Sequence, residues 1–263
     1  MTNIKPVITI AVPSFNQGQF IDDALASIFS QNIPVEVYVA DGGSTDNSVE
    51  VIKKWEHKLA GWRSAPDNGQ TAAINECIAK GSAPYVAWLN SDDVYLEGGL
   101  NALLAAFTSA PDSPVVYGRV WNTDKNLKKL ERIKTEPFSR VRLASRCIIS
   151  QPGTLMRRDA WERVDGADET LGMSMDYDLW WRLSERIGPF RYIEVDVAIN
   201  RDHEETKTNT KRHQHYSESM AIVKKYYGSV PLRWWAAWPI SVWWRSLKGH
   251  VSRKYFAKTG KQL

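Results

Sequence analysis

Across 263 residues the chain has only two cysteines, Cys77 and Cys147, with no CxxC pair and no close Cys/His group. That scarcity excludes a disulfide framework and a structural zinc site, and it fits a reducing compartment. Neither GxGxxG nor GxxxxGK occurs, so a dinucleotide or P-loop site has no obvious cradle. No apolar run reaches the roughly 20 residues that a membrane-spanning helix needs. The opening Met1-Thr2-Asn3-Ile4-Lys5-Pro6 lacks the apolar length and cleavage site of a secretory signal, which predicts a cytoplasmic chain. Internal repeats and long low-complexity segments are also missing.

What is present is a globular composition, 43% hydrophobic and 24% charged, which argues against wholesale disorder. The length suits one α/β domain with an appendage. The net charge of +4 is unevenly spread. Residues 201–263 hold 13 Lys and Arg against 4 Asp and Glu, whereas residues 1–200 hold 21 against 26. A basic tail behind a mildly acidic body points to an anionic partner, a membrane surface in preference to nucleic acid. In that tail Trp234, Trp235, Trp238, Trp243 and Trp244 stand among Arg233, Arg245, Lys248, Arg253 and Lys254. Indole rings mixed with cations suit a helix lying among lipid headgroups, and a contact between copies of the chain is the competing reading.

The first half alternates β-branched runs with helical patterns. Strands are expected at 7–12, 35–40, 62–65 and 85–89, and helices at 19–31, 45–58 and 71–80, with Ser44, Thr45 or Asp46 as a helix cap. This βαβ rhythm predicts a mostly parallel, Rossmann-like sheet flanked by helices. Past Val115-Val116-Tyr117-Gly118 the pattern loosens, and residues 121–150 suggest a hairpin or loop crossing the sheet. A helix over 176–186, a strand over 191–199, a charged loop to Thr210 and a helix over 217–227 follow.

Parallel α/β sheets bind ligands outside the carboxyl ends of their strands. Four polar clusters fall there: Pro13-Ser14-Phe15-Asn16, Asp41-Gly42-Gly43-Ser44-Thr45-Asp46, Pro66-Asp67-Asn68-Gly69-Gln70 and Asn90-Ser91-Asp92-Asp93. Adjacent carboxylates such as Asp92 and Asp93 repel one another unless a cation neutralises them. Mg2+ or Mn2+, held by few protein oxygens and several phosphate oxygens, is the usual solution.

In this order the four clusters resemble the family-two glycosyltransferases of GT-A fold that build bacterial surface polysaccharides, over about residues 8–200. The resemblance implies transfer of a sugar, with inversion, from a nucleotide-diphosphate donor, UDP- or dTDP-linked, to a hydroxyl of a lipid-linked glycan at the inner face of the membrane. It further implies that Asp41 holds the base, Asp67 contacts the base or ribose, Asp92 binds ribose and Asp93 binds Mn2+ or Mg2+. Pro13, Ser14, Asn16, Gly43, Gly69, Gln70 and Asn90 would complete the donor pocket. Met175-Asp176-Tyr177-Asp178-Leu179-Trp180-Trp181 resembles the helix that carries the catalytic base, with Met175 where an acidic residue is usual and Asp176 as the base. His203, in Asn200-Arg201-Asp202-His203, resembles a histidine that completes the metal shell.

Each motif has a plainer reading as turn or cap chemistry. Asp176 and Asp178, two apart, cannot share one helix face, so one is expected at the surface or as a cap. Trp180 and Trp181 read as a sugar platform or, more simply, as core. The expected division is a catalytic domain over 1–210 and a helical membrane-association segment over 211–263. Two alternatives remain: a sugar-phosphate nucleotidyltransferase, for which Pro13-Ser14-Phe15-Asn16-Gln17 offers no lysine, and a non-catalytic glycan binder. Oligomeric state is open.

Overall fold

The β-branched runs and helical stretches of the first ninety residues take their expected forms, with boundaries within three residues of those read from sequence. The computed structural model describes residues 5–204, 206–239 and 242. It opens with β1 (Ile8–Ser14), α1 (Ile21–Phe29), β2 (Val35–Asp41), α2 (Ser48–Trp55), β3 (Gly61–Ser64), α3 (Gln70–Lys80) and β4 (Tyr85–Trp88). β1 is parallel to both β2 and β4, and β2 is parallel to β3. All seven residues of β1 are buried, as expected for a parallel strand covered on both faces. Of the three candidate caps for α2, Asp46 is the one that accepts from Ser48 N, at 3.0 Å.

The second half completes a sheet in the order β3-β2-β1-β4-β8-β6-β9-β5. It adds β5 (Val94–Tyr95), α4 (Gly99–Ser109), β6 (Val115–Thr123), β7 (Lys129–Arg132), α5 (Arg140–Ser145), β8 (Thr154–Arg157), α6 (Arg158–Arg163), α7 (Met175–Arg186) and β9 (Arg191–Arg201). β8 lies antiparallel between β4 and β6, and β9 runs parallel to β6. The loosely patterned 121–150 stretch includes the predicted hairpin, β6 with β7. Its polar character follows from exposure, because all four residues of β7 face solvent.

Two cores flank the sheet. Ile8, Ile10 and Val12 pack with Ile21, Leu25 and Ile28 of α1 on one face. Trp88, Tyr117, Leu179, Trp180 and Trp181 lie in the other. Trp180 stacks on Trp88 and Trp181 on Tyr226, both indoles fully buried, so this pair is core and not a sugar platform.

After β9 come α8 (Lys207–Thr210), α9 (Arg212–Tyr227) and α10 (Leu232–Trp238). The expected charged loop thus contains one helical turn, and the helix expected at 217 begins five residues earlier, at Arg212. Polar residues open α9, which is why apolar periodicity alone missed its start. The expected boundary at 211 falls within packed structure. Met220, Ile222 and Val223 of α9 are buried, and Trp234 Nε1 of α10 donates 2.7 Å to Ala144 O inside the core. The membrane-association residues Trp243, Trp244, Arg245, Lys248, Arg253 and Lys254 lie outside the described residues. Among the described residues no helix is long and apolar enough to cross a membrane.

Candidate active site at the carboxyl edge of the sheet

Strand register brings the sequence clusters to one edge. Ser14 at the end of β1 pairs with Asp41 at the end of β2, and Asp41 pairs with Ser64 at the end of β3. Leu89 N, just past β4, donates 2.9 Å to Ala11 O, so the Asn90–Asp93 loop leaves at the same edge.

Asp41 is fully buried. Its Oδ2 accepts from Gly43 N (3.1 Å), Ser44 N (2.9 Å) and Ser64 Oγ (2.7 Å), and its Oδ1 accepts from Ser44 Oγ (2.5 Å). Gly43, at φ +83°, supplies the left-handed turn that this self-bonding needs. Asn16 ties the first loop to the second: its N donates to Ser44 Oγ (2.7 Å) and its Oδ1 accepts from Thr45 N (2.9 Å). Pro13 and Ser14 are buried beneath these loops.

Above this base is a slot. A β-carbon on Gly42 would sit 3.3 Å from the Phe15 ring and 3.5 Å from the Asp67 carboxylate. The missing side chain keeps the space between those two groups open. Phe15, at the rim of this slot, is 60% exposed. Asp67 is oriented by Gly69 N (2.8 Å) and by Arg63 Nη2 (3.3 Å). Arg63 also grips Glu76, whose carboxyl that hydrogen bond pulls down to about 2, and donates to Asp41 O and Ala65 O. Neither Phe15 nor Arg63 stood out in sequence as a site residue: one is a lone aromatic, the other lies inside β3.

A hydrogen-bonded chain crosses from this slot to the acidic loop. Gln70, the first residue of α3, donates through Nε2 to Asn90 Oδ1 (2.7 Å), and Asn90 Nδ2 donates to Asp93 Oδ2 (3.0 Å). Asp93 Oδ1 accepts from Arg201 N at the end of β9 (3.0 Å). Both oxygens of Asp93 are therefore engaged inward. Burial, then the charge of Asp92, pushes its carboxyl well above the ordinary value. Asp92 turns the other way, and its Oδ2 lies 3.0 Å from His203 Nε2. His203 packs against Phe20, with ring centroids 4.8 Å apart.

Asp92, expected at the ribose, is thus the carboxylate beside His203, while Asp93, expected with His203 at the metal, is bonded inward. No group of three or more His, Cys, Asp or Glu side chains arranged for a metal exists among the described residues. A hard cation bound through one carboxylate and one imidazole, with phosphate and water oxygens in its other positions, fits this donor set.

α7 enters beside the same seam. Thr71 Oγ1, one residue past Gln70, contacts Met175 Sδ at 2.7 Å. Asp176 is partly exposed and accepts from Tyr177 N (2.8 Å). Burial raises its carboxyl above the ordinary value, opposed by hydrogen bonding from the Tyr177 backbone and by the charge of His215 on α9. Burial also pushes the nearby Cys147 thiol up to about 12, and the charge of Asp176 adds to that shift.

Asp178, two residues on, is neither a cap nor a surface residue. It is 1% exposed and accepts from Arg182 Nε (2.6 Å) and Tyr226 OH (2.8 Å). Glu218 on α9 holds the residues leading into α7 by accepting from Met173 N (2.9 Å) and Ser174 N (3.0 Å). His215 and Glu218 lie three apart on one helix face, but the sequence does not reveal what that face meets.

The same arrangement of elements occurs in solved structures. TarS from S. aureus, residues 1–349 in complex with UDP-GlcNAc, superposes with a TM-score of 0.67 at 18% identity, covering 97% of this chain and 76% of that one. The mannosyltransferase PcManGT from Pyrobaculum calidifontis, in complex with GDP-Man and Mn2+, gives 0.66 at 16% identity, covering 99% and 77%. Both bear out the expected GT-A fold. In sequence, a hyaluronan synthase from Pasteurella multocida is 28% identical over 203 residues, 76% of this chain. The chain spans about a fifth of that relative's length, 21%. The profile described as Glycosyl transferase family 2 matches residues 9–165, which sets aside a nucleotidyltransferase. With more than half of its length under that profile, the chain belongs to glycosyl transferase family 2.

Proposed function

We propose that the chain transfers a sugar from a nucleoside-diphosphate donor to a hydroxyl of a growing bacterial surface polysaccharide, with Mn2+ or Mg2+ at the diphosphate. The observation that carries this reading is the bonded chain Gln70–Asn90–Asp93–Arg201, which ties the start of α3, the loop after β4 and the end of β9 into one wall beside the Phe15–Asp67 slot. Phe15 covers one face of a uracil or thymine base and Asp67 accepts from its imide N–H. Asp41 shapes the loop beneath. Asp92 and His203 hold the cation, and Asp93 fixes their loop to β9. These assignments move the base contact from Asp41 to Asp67 and the metal contact from Asp93 to Asp92. When bound, the cation supplies positive charge against the departing diphosphate.

Asp176 takes the proton from the acceptor hydroxyl as that oxygen attacks the anomeric carbon. Attack from the side opposite the diphosphate inverts the anomeric configuration. Titration of the protein with UDP in a calorimeter tests the donor site. Binding should require Mn2+ or Mg2+ and vanish in chelator, and Asp92→Ala combined with His203→Ala should abolish the cation requirement together with most of the affinity. Equal UDP binding with and without cation would remove the metal from the proposal.

The pH profile follows from the direction of the Asp176 shift. The deprotonated carboxylate is the active form, so kcat/KM falls as pH drops through a value above the ordinary carboxylate range. Burial pushes His215 below its ordinary value, so its imidazole is charged only toward the acid end of the profile; where it is charged, His215→Gln removes a positive neighbour and should move that limb to still higher pH. An unmoved limb would show that a group other than Asp176 sets it.

We also propose that the acceptor is lipid-linked and that the C-terminal helices meet the membrane surface. Leu232 is 84% exposed and Trp235 59% exposed on α10, while Trp234 on the same helix is buried. Truncation must therefore spare Trp234. Removing residues 243–263, which spares the buried Val242, should weaken sedimentation with anionic vesicles without lowering the melting temperature, and unchanged sedimentation would count against the anchor.

A further inference from the structure

Lys207 opens α8, the turn between β9 and α9, and its Nζ donates 2.8 Å to Gln70 Oε1. Gln70 is itself bonded to Asn90, so the ammonium rests on the wall that joins the base slot to the Asp92–His203 pair. Lys207 is itself exposed; partial desolvation of its ammonium and the charge of Lys211 lower its pKa, while Asp92 and Asp67 act to raise it. Both carboxylates therefore lie within its field, one from each end of the seam. Its hydrogen-bond partner among the described residues is a neutral amide, so no contact cancels its charge.

Two other cations near this edge are already paired, Arg63 with Asp67 and Glu76 and Arg201 with Asp23. One divalent cation matches the diphosphate of a nucleotide sugar in charge, but a further negative charge develops on the nucleoside diphosphate as the sugar leaves, and its phosphates must lie between the base slot and the metal pair. Lys207 occupies that interval. A flexible ammonium with three donors can exchange one amide oxygen for phosphate oxygens at little cost.

We infer that Lys207 is a donor-binding residue whose ammonium contacts the diphosphate of the nucleotide sugar. The inference rests on the donor site proposed above. Nothing in the sequence marked this lysine, because it lies in a stretch without periodicity, far along the chain from its partner Gln70.

Calorimetric titration of the full chain with UDP and with uridine at saturating Mn2+ provides the test. Lys207→Met should weaken UDP about 10- to 100-fold, the usual worth of a hydrogen bond to a charged group, while uridine binding stays unchanged and Lys207→Arg retains most of the UDP affinity. Repeating the UDP titrations over a range of KCl concentrations adds a second readout. Lys207→Met should flatten the loss of affinity with salt, because a charge contact has gone. Unchanged UDP affinity, or an equal loss at every salt concentration, would overturn the inference. If the unsubstituted chain binds no UDP with or without cation, the donor site itself fails, an outcome distinct from failure at Lys207 alone.

Discussion

Asp176→Asn should lower kcat by about 10²- to 10⁴-fold, the usual contribution of a positioned general base, and leave donor affinity within about twofold. The substitution keeps the volume and the hydrogen bond from Tyr177 N while removing the ability to accept a proton. Because burial already favours the neutral form of Asp176, an uncharged amide suits the site and the fold should be unaffected. Transfer assayed with a labelled nucleotide sugar, alongside UDP titration of the same variant, separates chemistry from binding. A variant with near-normal turnover would remove Asp176 from the base role.

Two residues further along, Asp178→Ala should give the opposite pattern. Asp178 lies on the buried side of α7, where Arg182, one turn on, donates to it and also to the carbonyls of Val164 and Gly166. Removing the carboxylate leaves a buried guanidinium without its counter-charge, a change that costs about 3–5 kcal/mol. For a chain of this size that corresponds to a fall of about 10 °C in melting temperature. Activity of the protein that remains folded should persist. A melting temperature within two degrees of the parent's would show that Arg182 is satisfied without Asp178.

Much of the donor half was legible because its signals are local. Alternating β-branched runs and amphipathic stretches mark β1 to β4 with the helices between them, and parallel pairing then forces the loops after those strands to one edge. Local signals do not say which way a side chain turns once a loop has left the sheet. Asp92 and Asp93 are neighbours of the same type, and bonds from Asn90 and from Arg201, the latter more than a hundred residues later, turn Asp93 inward while Asp92 faces His203. Likewise Asp176 and Asp178 look equivalent along the chain, and their difference is set by Arg182, Tyr226 and His215. Phe15 becomes informative only through its exposure beside Gly42. Lys207 needed the return of β9 to the same edge before its partner was near.

The turn after β2 is finished before any ligand arrives. Asp41 has bound its own loop's amides and hydroxyls, and Asn16 has clamped the neighbouring loop to it. Under the proposed function, a sugar nucleotide entering there would meet a preformed socket, so little chain entropy would be lost on its capture, and affinity could be set by contacts to the phosphates and sugar without reordering the floor beneath the base.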